Sequence, residues 1–294
     1  MGFDNVYEAI TEEVEDHRWA FGTGFTDPLA GVDTAVPPGV VGADLGAYAV
    51  MLGDDALVMS HRLQQWLTRA PELEEETAVA NIALDLLGQA RLLLARAGRV
   101  DGTGHDEDAY AFWRDEHDYR NVRLAEVADA DFGALVARLL VFSTWRLALL
   151  TGLRGSVDPV LAAIADKGVK ELRYHRDYAA QWVVRLADGT DYSRARVEAG
   201  LAGVAPLVPE LFHASDVEAR LALAQVAVDP AGARAEFDAV MAQVLSVGAL
   251  RWPDPPGPVA AGGSSGRDGV HTEAMAELLT ELQSVARAHP GASW

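Results

Sequence analysis

Apolar residues recur three and four apart along most of this chain, the period of an amphipathic helix and not of a strand. Leu45, Tyr48, Leu52, Ala56, Met59, Leu63 and Trp66 mark a first helix over Asp44–Arg69, which Pro71 ends. A second helix, Glu72–Arg99, begins with Glu72, Glu74, Glu75 and Glu76 at the positive end of the helix dipole and then turns apolar on nearly every side. Such a helix is expected between other helices. A third spans about Phe132–Leu153. The fourth opens on Asp158-Pro159, a capping residue followed by proline in the first turn, and runs to about Ala187, where Asp188-Gly189 closes it. Shorter helices follow over roughly Ser193–Phe212, Asp229–Trp252 and Thr272–Ala288. No alternating pattern of useful length is present. The pattern predicts an all-α chain, a four-helix bundle with additional C-terminal helices.

Three stretches lack a period. Gly22–Val41 is rich in Gly, Pro, Asp and Thr and reads as a loop or arm. Asp101–Asp131 is an acidic, aromatic connection whose Tyr110, Phe112, Trp113 and Tyr119 either pack over the bundle or form an interface patch. A turn-rich linker precedes the last helix. The expected division is an N-terminal arm over residues 1–42, with a short amphipathic helix in residues 1–20, and a helical domain over 43–294.

Composition narrows the function classes. The 294 residues are 50% hydrophobic, enough for a large core, and contain no cysteine, which removes disulfides, zinc–thiolate sites and thiol chemistry. A net charge of −20 argues against nucleic acid. No run reads as a membrane span, and the acidic start lacks the features of a signal peptide, so a cytoplasmic protein is expected. The only lysines, Lys167 and Lys170, lie beside Arg173 and Arg176 and form a local basic cluster, set against an ordinary solvated helix face.

The candidate chemistry lies inside the bundle. Asp85 and Gln89 sit one turn apart on the second helix, and Glu171 and His175 one turn apart on the fourth. On the fourth helix the seam Leu161, Ile164, Gly168, Glu171, His175, Tyr178, Trp182 puts Glu171 and His175 mid-core. This is the layout of ferritin-like di-metal carboxylate proteins, which place Glu-x-x-His on two helices and a lone Glu on the other two. The spacing departs from it. Position 86 is Leu and position 172 is Leu, so neither helix carries Glu three residues before the ligand position. The first helix has Asp54 and Asp55 toward its first half and no acid in its middle apolar face; the third offers only Ser143, Thr144 and Arg146. The expectation is a buried polar network of Asp85, Gln89, Glu171 and His175, balanced by Arg96, Arg146 or His175, with no catalytic residue and no metal in this chain. A free-standing di-iron oxygenase with non-standard ligands is the alternative. Glu210-Leu-Phe-His213 is a true Glu-x-x-His but follows Pro209 without a mate and reads as a chance surface match. His61, His105, His117, His271 and His289 read as surface residues.

The stretches LGDDALVMSHRLQQWLTRAPELEEETAVANIALDLLGQAR, KELRYHRDYAAQWVVRLADGTD, PELFHASD and HTEAMAELLTELQ, with the final PG-x-x-W, resemble PaaC-type subunits of the bacterial phenylacetyl-CoA epoxidase, a family of phenylacetic acid catabolism. The resemblance implies a ferritin-like fold and a chain that lacks iron ligands. It also implies a structural role beside a catalytic PaaA-type subunit that carries the di-iron centre, within a complex that epoxidises phenylacetyl-CoA, and it makes Lys167, Lys170, Arg173 and Arg176 a candidate contact for CoA phosphates or an acidic partner surface.

Overall fold

The computed structural model describes residues 29–253 and 265–292. The predicted short helix in residues 1–20 lies outside them. Among the described residues the chain forms ten α-helices, joined by turns and short 3-10 segments, and no strand. Four long helices make the bundle: α1 (Gly42–Gln64), α2 (Leu73–Val100), α5 (Phe132–Leu153) and α6 (Pro159–Asp188). Between the two hairpins run α3 (Glu107–Phe112) and α4 (Arg123–Glu126). Outside them pack α7 (Asp191–Val204), α8 (Asp216–Leu223), α9 (Arg234–Val247) and α10 (Glu273–Ala288). The ferritin-like all-α arrangement with added C-terminal helices is therefore the one observed.

Register follows from where side chains meet. Gly42 lies against Val100, Gly53 against Leu94, and Ser60 Oγ donates to the Ala83 carbonyl at 2.6 Å, so α1 and α2 run antiparallel. Phe132 packs on Trp182 and Leu150 on Gly168, so α5 and α6 do the same. Side-chain caps set the starts of the second hairpin. Asp131 accepts from Ala134 N at 2.9 Å, and Asp158 accepts from Leu161 N at 2.8 Å ahead of Pro159. Asp158 also pairs with buried Arg96, whose guanidinium holds the carbonyls of Thr34 and Ala35 and so pins the end of the arm to the bundle.

Glycine matters most at Gly98, where the 101–106 connection crosses α2. A Cβ there would lie 1.8 Å from the His105 carbonyl oxygen, closer than any side chain can approach backbone. Gly98→Ala gains helix propensity yet must displace that connection. The expected net loss is about 2 kcal/mol, read as a lower denaturation midpoint with an unchanged slope.

The structure revises several boundaries. α1 stops at Gln64 because Gln65–Ala70 turn back under Trp66, five residues short of the predicted end. Pro206 and Pro209 convert the predicted Ser193–Phe212 helix into α7 plus a 3-10 turn over Ala205–Phe212. The 101–131 connection contains α3 and α4 and buries Tyr110 and Tyr119, while Trp113 stays half-exposed. Two helices, α2 and α5, are long and apolar enough to cross a membrane by length and composition. In the most apolar stretch of α5, 94% of residues are buried inside the bundle; in that of α2, only 44% are.

Candidate functional site

Polar groups from all four bundle helices converge on one guanidinium. Arg146, from the middle of α5, is fully buried. Its Nε donates to Gln89 Oε1 of α2 at 3.1 Å and its Nη2 to the Leu52 carbonyl of α1 at 3.2 Å. Its Nη1 lies 3.9 Å from Asp55 Oδ2 of α1. Gln89 passes the connection on, donating from Nε2 to Glu171 Oε2 of α6 at 2.9 Å. Glu171 is also held by Lys167. Burial pushes the Arg146 guanidinium down to about 10 while the Asp55 carboxylate pulls against that shift.

Asp55 serves a second cation. Arg267, from the short turn Gly266–Asp268, grips it with Nη1 on Oδ1 at 2.9 Å and Nη2 on Oδ2 at 2.8 Å. Val122 N donates to Oδ1 at 2.8 Å. Burial opposes the Arg267 charge, but Asp55 outweighs it and holds the guanidinium above its ordinary value. Next to it Asp54, also fully buried, accepts from Arg114 Nη1 at 2.9 Å and from Arg120 N at 2.8 Å. The two adjacent carboxylates thus draw the 107–123 connection and the 265–268 turn onto the middle of α1.

This corrects the expectation that the first helix offers no acid in its middle. Asp54 and Asp55 lie at the centre of α1, because partners from distant segments supply the counter-charges that a helix of this kind cannot supply itself. The expected position of Asp85 also changes. Its side chain is 37% exposed and reaches back to His175 Nε2 at 3.0 Å, so it stands at the edge of the bundle and not in its core. The α6 seam rotates likewise. It runs through Gly168, Leu172, His175, Ala179 and Val183, which puts Glu171, Tyr178 and Trp182 on the flank. Ala179 and Val183 are fully buried, while Tyr178 and Trp182 are partly buried and pack against the edge of the core, Trp182 on Phe132 of α5.

Asp85, Gln89, Glu171 and His175 therefore fall into two contacts, Gln89–Glu171 and Asp85–His175, and only the first reaches Arg146. Arg96 is spent elsewhere, on Asp158. In the basic cluster Lys167 pairs with Glu171, Lys170 with Asp166 and Arg176 with Asp177, which neutralises most of it on α6 itself; Arg173 is exposed. The Glu-x-x-His over 210–213 is not a surface match at its acid. Glu210 is buried and takes Arg123 Nε at 2.8 Å and Gly266 N at 2.9 Å, while His213 is exposed. His271, read as a surface residue, has a fully buried side chain against Glu126.

Residues 33–294 match the family model described as phenylacetic acid catabolic protein, which joins the PaaA and PaaC types. The C subunit of the 1,2-phenylacetyl-CoA epoxidase of Escherichia coli strain K12 is 40% identical over 250 residues, which cover 85% of this chain and 99% of that protein. The chain belongs to the phenylacetic acid catabolic protein family.

Ferritin-like members of such a family imply a di-iron centre between α1, α2, α5 and α6, and the residues present do not fit one. Two hard cations need several carboxylates converging with free oxygens. Here the converging groups are a guanidinium, a carboxamide and two carboxylates, with Asp55 bound by arginine on both oxygens and Glu171 shared between Gln89 and Lys167. Among the described residues, three ligating oxygens or nitrogens come within reach of one another only at Glu72, Glu74 and Glu75, at the start of α2 and away from the bundle centre. Arg146 could have been singled out from the sequence, since Arg138 and Arg146 are the two charged residues of an otherwise apolar helix and each requires a buried partner, which Asp129 supplies to Arg138. Arg114 and Arg267 could not, because nothing local ties them to α1.

Proposed function

We propose that this chain is a non-catalytic structural subunit of a multicomponent phenylacetyl-CoA epoxidase in aerobic phenylacetate catabolism, acting in the cytoplasm. It scaffolds a catalytic PaaA-type subunit that carries the di-iron centre, and it meets phenylacetyl-CoA only through the complex with that and other subunits. The observation that carries this reading is Arg146. A fixed positive charge fills the place between the four helices where a metal would need anionic ligands, and it satisfies the same polar groups without one. Membership of a family whose relative is named as one subunit of an epoxidase supports the role in a complex.

The α2–α6 side of the bundle is the face on which the catalytic relative docks in this reading. The most apolar stretch of α2 is nearly as apolar as that of the core helix α5, yet only 44% of its residues are buried. Leu84 at 48% exposure and, across on α6, Tyr174 at 51% stand on either side of the Asp85–His175 contact. Apolar surface of this kind on a helical face is what a helix-to-helix interface uses.

Iron analysis by plasma mass spectrometry tests the assignment. The chain expressed alone in iron-supplemented medium is expected to hold far less than one iron, and its complex with the catalytic partner about two. Stoichiometric iron in the isolated chain overturns the proposal in favour of a free-standing oxygenase, with Asp85, Glu171 and His175 as the ligands to replace one at a time.

A further inference from the structure

Several polar contacts hold the last described segment to the body of the protein, among them Arg62 Nη2 on the Ala274 carbonyl at 2.8 Å and Gln283 Nε2 on the Arg114 carbonyl at 3.0 Å, and two of the contacts contrast in chemistry. The first is the Arg267–Asp55 ion pair, whose guanidinium keeps its charge however far the pH rises in the accessible range. The second lies four residues on, at the start of α10. His271 and Glu126, the last residue of α4, have fully buried side chains, and His271 Nδ1 lies 3.4 Å from Glu126 Oε2. Neither of these atoms makes a hydrogen bond to any described residue, so this ion-pair contact is all that faces either of them. The other carboxylate oxygen, Oε1, accepts from Thr272 N at 3.3 Å, and the other ring nitrogen, Nε2, is 3.2 Å from the Tyr119 carbonyl.

These contacts fix the proton count. A carbonyl oxygen only accepts, so Nε2 carries a hydrogen. Nδ1 then faces a carboxylate oxygen, and that contact is attractive only with a proton between the two atoms. The proton can reside on either partner, and the pair shares it. Removing it leaves a lone pair against an anion in a place without water.

We propose that Glu126 and His271 form a proton-gated latch that fixes the start of α10 to the body of the protein and loosens as the pH rises. Burial pushes the Glu126 carboxyl up. Burial pushes the His271 imidazole down, but the Glu126 carboxylate outweighs it and holds the ring above the ordinary 6.5. Both groups bind their proton more tightly folded than unfolded. The latch is therefore fully formed below the ordinary histidine value and is lost as the pH climbs through the raised one. The surrounding charges do not cancel this. Glu116 faces His271 and adds to the upward pull. Glu210 faces Glu126 but is engaged by Arg123 at 2.8 Å. Arg62 holds the Glu126 and Ala274 carbonyls with Nε and Nη2, both at 2.8 Å, while Glu277 and Glu281 on α10 face its guanidinium. With the latch open, Arg267, Arg62 and Gln283 keep the segment attached while the start of α10, ahead of the buried Met275, loses one of its fixed points.

Amide hydrogen exchange of residues 266–288 in the full chain, corrected for the intrinsic effect of pH, tests this between pH 6 and 9. Protection of the start of α10 is expected to fall at least tenfold across that range. Glu126→Gln is expected to abolish the dependence, because the carboxamide donates its own N–H to neutral Nδ1 and still accepts from Thr272 N. Equal pH dependence in Glu126→Gln and the parent, or constant protection in the parent, overturns the proposal. Should the variant not fold, the ring resonances of His271 in the parent decide it. A titration midpoint above 6.5 is the expected result, and one at or below it overturns the latch.

Discussion

Asp55→Ala is expected to destabilise the protein by about 4 kcal/mol, and Arg146→Met by less than half of that. The asymmetry follows from the contacts. Asp55 is the counter-charge of two buried arginines, one bound through both carboxylate oxygens and the other 3.9 Å away, and it also takes the Val122 amide. Removing it leaves two guanidiniums in the core with only neutral acceptors and no counter-charge from Asp55, and a backbone donor without its acceptor. Removing Arg146 leaves Asp55 still gripped by Arg267, and the cost is confined to Gln89 Oε1 and the Leu52 carbonyl, about 1–2 kcal/mol, with methionine filling most of the space. Chemical denaturation of the isolated chain gives both values. For a domain of this size the alanine variant corresponds to a midpoint lowered by about 10 °C. A methionine variant that is the less stable of the two would mean that the centre of the bundle is balanced through Gln89 and Glu171, and not through Asp55.

Leu84→Asp is expected to weaken assembly with the catalytic partner by about 3 kcal/mol, roughly 150-fold in dissociation constant, and to leave the stability of the isolated chain unchanged. The side chain is half-exposed in the monomer, so a carboxylate there remains hydrated until a partner covers it. Once covered, it is a buried charge with no counter-ion. Tyr174→Ala, across the Asp85–His175 contact, removes area without adding charge and is expected to have the smaller effect. Titration of labelled chain with the catalytic partner, beside thermal melts of the chain alone, separates the two effects. Unchanged affinity in Leu84→Asp would move the interface to another face without touching the assignment of the iron.

What the sequence makes legible here is local. Asp158-Pro159 marks the start of α6 because cap and proline act within one turn, and the three-and-four spacing locates α1, α2 and α5 because each buries its own stripe. The candidate site is legible only in part. Gln89 and Glu171 meet as their spacing suggests, but Asp85 reads as buried when it is half-exposed. Its neighbours Ile82, Ala83 and Leu86 are buried while Leu84 faces outward, and spacing alone cannot tell which side of a nearly all-apolar helix Asp85 shares. Asp54 and Asp55 read as lying toward the first half of the helix and off its apolar face, because nothing near them in sequence supplies a counter-charge. Their partners Arg114, Arg120 and Arg267 lie 60, 66 and 212 residues away, and only the folded chain brings them together. His271 escapes for the same reason, since Glu126 and Tyr119 come from a connection with no hydrophobic period.

The 212-residue separation between Asp55 and Arg267 also sets a clock on biosynthesis. At about 5–20 residues per second, a ribosome needs roughly 10–40 s after making Asp55 before it adds Arg267. All four bundle helices are complete well before then, so during that interval the nascent bundle has Arg146 as the only one of the two cations that can face Asp55. A chain released early, or clipped ahead of the 265–268 turn, carries the whole ferritin-like framework with an under-neutralised acid at its centre. Such a product is a natural substrate for chaperones and proteases, and the quality of each finished copy is decided by its last few dozen residues.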